Sequence, residues 1–138
     1  MRFLGIDPGL KRVGLAVGDD QDHFASPYKT LERKDDPSLV EALVAELSAL
    51  ETDRVVLGLP LRMNGLEGPE AKRSRGLGKA LEKHGLTVVL WDERLTTVGA
   101  ERQLRSVGMR AGKRKSVIDQ AAATLLLQSY LDAQRSSV

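Results

Sequence analysis

Three acidic residues stand at positions suited to chemistry. Asp7 ends the apolar run Phe3-Leu4-Gly5-Ile6 and is followed at once by the turn-forming Pro8-Gly9. Glu93, with Asp92 beside it, closes the apolar segment Thr87-Val88-Val89-Leu90-Trp91. Asp119 falls in the opening turn of a C-terminal helix that the apolar spacing predicts from about Ser116 to Gln134. Each acid has an ordinary explanation on its own. An Asp before Pro-Gly can hydrogen-bond its own turn, Glu93 can pair with Arg94, and Ser116-x-x-Asp119 resembles a capping box favoured by the helix dipole. None of these explanations accounts for the other two acids. Ligand sites in α/β sheets gather at strand ends and helix starts, so the three carboxylates point to one site. Converging carboxylates repel, and a hard divalent cation, Mg²⁺ or Mn²⁺, relieves that repulsion with oxygen ligands.

A set of elements must bring the three together. Residues 2–7 and 12–18 are expected as strands joined by the Pro8-Gly9 turn, with a weaker strand near Phe24–Leu31. Asp36-Pro37-Ser38 starts a helix carrying Leu39, Val40, Leu43, Val44, Leu47 and Leu50 at helical spacing. Arg54–Pro60 and Thr87–Glu93 look like buried strands, separated by a Gly-rich loop and a helix from about Pro69 to His84 that Gly85 ends. A helix from about Thr97 to Val107, the loop Gly108–Lys115 and the C-terminal helix complete the chain. The expected fold is α/β, a mixed sheet flanked by helices. Period-two alternation prevents Asp92 and Glu93 from both facing the site, so Asp92 is the alternative second ligand.

Bulk properties narrow the partners. A length of 138 residues suits one domain with a core of its own. There is no cysteine, so disulfides and thiolate chemistry are excluded. The absence of a long apolar stretch or a signal-type N-terminus leads us to expect a cytoplasmic chain with no membrane partner. A net charge of +2 conceals an asymmetry: residues 1–53 carry a net of −5 and residues 54–138 a net of +7. From Arg94 to Lys115 there are seven Lys/Arg against Glu101 alone. A one-sided positive field favours a polyanion. Within it, Arg110, Lys113, Arg114 and Lys115 surround Gly112 just before the Asp119 helix, an arrangement suited to phosphate.

These segments resemble a known family. Gly5-Ile6-Asp7-Pro8-Gly9 with the following residues to Val17, Leu57–Ala71, Asp92–Thr97 and Gly112–Asp132 together resemble the YqgF/RuvX family. Its members are described as Holliday-junction resolvases and as pre-16S rRNA nucleases. The resemblance spans nearly the whole chain and implies an RNase H-like fold with a five-stranded mixed sheet. It also implies a metal-dependent nuclease in which Asp7, Glu93 and Asp119 are catalytic and hold Mg²⁺ or Mn²⁺. Two cations about 3.5–4 Å apart would activate water and stabilise the leaving 3′ oxygen, with Asp7 best placed to bridge them. Lys113, Arg114 and Lys115, together with Arg62 and Lys72 or Arg73, would hold substrate phosphates, and Lys11 and Arg12 lie near enough to join them. The two Phe, two Tyr and single Trp are scattered, so backbone and shape recognition is expected over base stacking.

On this basis the expected substrate is structured RNA, specifically the 5′ end of precursor 16S rRNA. Branched DNA is the alternative, cleaved by a resolvase. Resolution needs two coordinated nicks and hence a C2 dimer. The amphipathic helices show no spare apolar stripe in sequence, which favours a monomer making single cuts. Two other classes compete. The first hairpin also resembles the phosphate-binding hairpin of actin-like and sugar-kinase-like ATPases, but a second lobe would exceed this length. A non-catalytic nucleic-acid-binding module would not need all three acids.

Overall fold

The computed structural model describes residues 1–95 and 111–136. The helix expected over 97–107 and the candidate Arg110 lie outside them. Five strands form one mixed sheet: β1 (Arg2–Pro8), β2 (Arg12–Asp19), β3 (Phe24–Glu32), β4 (Arg54–Leu59) and β5 (Thr87–Asp92). Their order is β3-β2-β1-β4-β5. Tight turns make β1–β2 and β2–β3 antiparallel, whereas helical crossovers make β1–β4 and β4–β5 parallel. The mixed five-stranded sheet is therefore as expected, with each strand within a residue or two of its predicted ends.

Alternation sorts the strand side chains onto two faces. Leu4, Ile6, Val13, Leu15 and Leu57 point to one side and are fully buried there. They pack under α1 (Asp36–Ala49) and α2 (Pro69–Glu82), through Leu43, Leu47, Leu77 and Leu81. Phe3, Ala16 and Val56 point to the other side, where Ala123, Leu126, Leu127 and Leu131 of a long α3 (Ala111–Ser136) cover them. The sheet is thus apolar on both faces, which is why its strands are near-continuous apolar runs.

Helix ends follow local chemistry. The cap of α1 is Asp35, one residue before the expected start; its side chain accepts from the Ser38 amide at 2.8 Å, and Pro37 occupies the first turn. After α2, Gly85 adopts φ +82° and turns the chain towards β5. The start of α3 differs from the sequence reading. Lys113, Arg114 and Lys115, expected in a loop, lie on the helix, which begins five residues before Ser116. Ala, Lys and Arg are strong helix formers, and one glycine in a first turn does not stop them. Asp119 accordingly sits in the third turn of α3, and the capping-box explanation for it falls away. Among the described residues, no helix is long and apolar enough to cross a membrane.

Candidate active site

The three candidate acids lie on the face covered by α3, and strand register sets what neighbours Asp7. Asp7 on β1 is paired with Gly14 on β2. On the other side Gly5 pairs with Val56 of β4, and continuing that register places Gly58 beside Asp7. The central acid is therefore flanked by glycine on both neighbouring strands. A Cβ on Gly14 would run into the backbone carbonyl of Asp119 and lie 3.0 Å from its Cβ. A Cβ on Gly58 would collide with the Glu93 carboxyl, its carbon only 2.8 Å away. Two missing side chains thus admit two acids, Asp119 above Gly14 and Glu93 above Gly58, on either side of Asp7. Sequence reasoning missed both glycines as site residues. Their signal was present, since glycine inside an apolar strand marks a close approach.

Glu93 reaches this place because β5 ends at Asp92 and the chain then turns through a one-turn 3₁₀ helix, Glu93–Leu95. Asp92 goes elsewhere. Its carboxylate takes the Arg94 guanidinium at 2.7 Å and the Arg94 amide at 2.9 Å, and these bonds hold its pKa below the usual carboxylate range. Glu93 is instead packed against Asp7. Burial first, then a hydrogen bond with Asp7, then the charges of Asp7 and Asp92 push its pKa up to about 10. At neutral pH that shift favours the protonated Glu93 carboxyl beside Asp7. The end of β5 is fixed to α3 by Trp91, whose Nε1 donates to Ser129 Oγ at 3.1 Å. Trp91 also meets Tyr130 edge-on at 5.3 Å, and Tyr130 meets Phe3 at 5.5 Å. Three aromatics that look scattered in sequence thus form one core cluster, and this anchors the strand end that bears Glu93.

Asp119 is held differently. Arg12 and Gly14 share the site face of β2, and Arg12 Nε donates to Asp119 Oδ2 at 3.0 Å. The donor set consists of hard carboxylate oxygens, suited to Mg²⁺ or Mn²⁺. Two half-buried carboxylates pressed together repel, and a divalent cation would relieve that repulsion, so the residues fit such an ion by chemistry. Among the described residues, however, no group of three acidic or histidine side chains is drawn together tightly enough to hold one. Asp7 and Glu93 adjoin, while Asp119 faces Arg12.

The other basic candidates lie in the turn after β1, in the loop after β4 and at the starts of two helices. Lys11 is exposed on the β1–β2 turn, Arg62 is exposed on the β4–α2 loop, and Lys72 and Arg73 are exposed at the start of α2. The Arg62 guanidinium lies over Gly68, the residue capping α2. Lys113, Arg114 and Lys115 occupy the first two turns of α3, N-terminal to Asp119. Arg33 was not anticipated. Largely buried, it ion-pairs with Asp36 at 2.9 Å and donates to the Gly9 carbonyl at 3.0 Å, tying the turn after Asp7 to the start of α1. It lines a cavity of about 150 Å³ with Pro8, Pro60, Arg73 and Ser74.

Comparison with known proteins gives a consistent picture. A sequence profile of the family described as RuvX, Holliday junction resolvase, matches residues 1–133. A relative from Caldanaerobacter subterraneus, named as a candidate pre-16S rRNA nuclease, is 45% identical over 99% of this chain and all of its own length. Relatives of the same name from Myxococcus xanthus and Bacillus pumilus are 44% and 42% identical, over 98% and 96% of this chain and 90% and 99% of their own. Among solved structures, Thermus thermophilus RuvC in complex with a Holliday junction superposes with a TM-score of 0.61 at 17% identity, covering 100% of this chain and 98% of that one. Fowlpox virus resolvase with junction DNA gives 0.61 at 14% identity, covering 97% and 99%. At these identities the likeness speaks for the fold, and the fold is RNase H-like.

Proposed function

The chain belongs to the RuvX family, and from that premise we propose that it is a metal-dependent nuclease that hydrolyses phosphodiester bonds in structured RNA, at the 5′ end of precursor 16S rRNA. The observation that carries this reading is the Asp7–Glu93 carboxylate pair at the tip of the central strands, with Asp119 one glycine away. A half-buried acid pair pressed together costs stability, and a site that binds a cation gives it a use. Asp7 and Glu93, joined by Asp119, would hold Mg²⁺ or Mn²⁺, which when bound supplies water activation and charge neutralisation at the phosphate.

The chain's own residues supply the rest. Lys11, Arg62, Lys72 and Arg73, which are exposed, and Lys113, Arg114 and Lys115, which fall in the first two turns of α3, would orient backbone phosphates. Arg33 holds the Gly9 carbonyl and so steadies the turn that follows Asp7. Trp91, Tyr130 and Phe3 are committed to packing one another. The chain would then read its substrate by backbone and shape, as a single domain over residues 1–138 that cuts as a monomer.

A second reading is supported by the two solved neighbours, each in complex with a Holliday junction: cleavage of four-way DNA by a dimer. One experiment separates the two. Wild type and Asp7→Asn are compared in Mg²⁺ and in Mn²⁺ on structured RNA, single-stranded RNA and four-way DNA. The expected result is metal-dependent cleavage of structured RNA, lost in the variant while binding is retained. Equal cleavage by both proteins would refute the site, and paired nicks on the junction by a dimer would move the substrate to DNA.

A further inference from the structure

The arrangement around Asp119 has a consequence for the order in which the site is filled. We propose that Arg12 is a positioning residue that keeps Asp119 out of the acidic set until a phosphate takes its guanidinium. The phosphate half of this statement rests on the nuclease reading; the ion-pair half does not.

Arg12 and Asp119 are 107 positions apart in sequence, yet Nε and Oδ2 meet at 3.0 Å. Gly14, two residues beyond Arg12 on the same strand face, lets the α3 backbone descend to the sheet at Asp119. Side-chain exposures of 35% for Arg12 and 21% for Asp119 leave the pair partly open to solvent and within reach of a ligand. Asp7 and Glu93 already adjoin, and the third acid is the one held by a cation of the chain's own.

A guanidinium and a divalent cation compete for the same carboxylate oxygen, and they repel each other. Guanidinium also forms strong, planar, charge-assisted bonds to phosphate. A substrate phosphate that draws Arg12 away therefore releases Asp119 towards Asp7 and Glu93. Metal and substrate then favour each other, and this coupling must be reciprocal. Without substrate, Arg12 keeps the site short of a ligand and weak for metal.

The test titrates Mn²⁺ into metal-free protein by calorimetry with no nucleic acid present, so it stands whether or not the chain cleaves RNA. Arg12→Ala should bind Mn²⁺ about two- to fivefold more tightly than wild type, the scale of a partly exposed ion pair. Arg12→Lys, a point charge without the planar fork, should fall between them, and it serves as the test variant should Arg12→Ala fail to fold. The deciding comparison is made in an Asp119→Asn background, where Arg12→Ala should no longer change the affinity. An unchanged Kd in Arg12→Ala would overturn the proposal. So would equal tightening in the Asp119→Asn background, which would reduce the effect to bulk charge. Where cleavage is measurable, KM for RNA should fall with rising Mn²⁺ in wild type and be insensitive to it in Arg12→Ala; the same dependence in both would also refute the coupling.

Discussion

Replacing Glu93 with Gln should make the metal-free protein more stable. In the folded chain Glu93 is buried against Asp7, and its pKa stands at about 10 against an ordinary value of 4.5. The folded state therefore binds a proton that the unfolded state releases. For an acid raised in this way, stability is intact below about pH 4.5 and declines as pH rises towards 10. At pH 7 the gap is about 2.5 pH units at about 1.4 kcal/mol each, a ceiling of about 3.5 kcal/mol. Gln keeps a neutral hydrogen-bonding group beside Asp7 and has no proton to take up. Urea unfolding in EDTA, at intervals from pH 5 to pH 8, measures the difference. The variant should match wild type near pH 4.5 and gain on it by up to about 1.4 kcal/mol per pH unit. Adding Mg²⁺ should reverse the order, because the cation stabilises the carboxylate pair and not the amide. Parallel stability curves for the two proteins would show that Glu93 is solvated and not pressed against Asp7, and the geometry of the site would be wrong.

The flanking glycines should respond unequally to alanine. In Gly58→Ala the new methyl meets the flexible end of Glu93; the fold should survive with a loss of about 1 kcal/mol, while metal-dependent cleavage drops at least about a hundredfold, as checked by circular dichroism beside a cleavage assay. Gly14→Ala meets the α3 backbone carbonyl at Asp119, so it should cost about 3 kcal/mol or more and lower Tm sharply. Asp35→Ala removes the side-chain cap of α1; a loss of about 1 kcal/mol in urea unfolding, with cleavage unchanged, is expected.

Much of this protein is determined locally. Apolar runs of strand length, the Pro8-Gly9 turn, the heptad-like spacing from Leu39 to Leu47 and the Gly85 stop each act within a few residues, and the sheet follows from them. Asp7 was legible as a candidate because a carboxylate at the end of an apolar strand lacks a solvated setting. The start of α3 was misread because Gly112 among lysines and arginines suits a loop and a first helical turn equally, and local pattern does not separate them. What each acid faces was decided only by tertiary structure. Alternation left Asp92 and Glu93 open, and the 3₁₀ turn after β5 sent one to Arg94 and the other over Gly58 to Asp7. The capture of Asp119 by Arg12 joins the second strand to the last helix across almost the whole chain. Residue types and short spacings specify which groups are available; register, missing side chains and helix docking specify which groups meet, because those depend on segments that have no contact until the chain has folded.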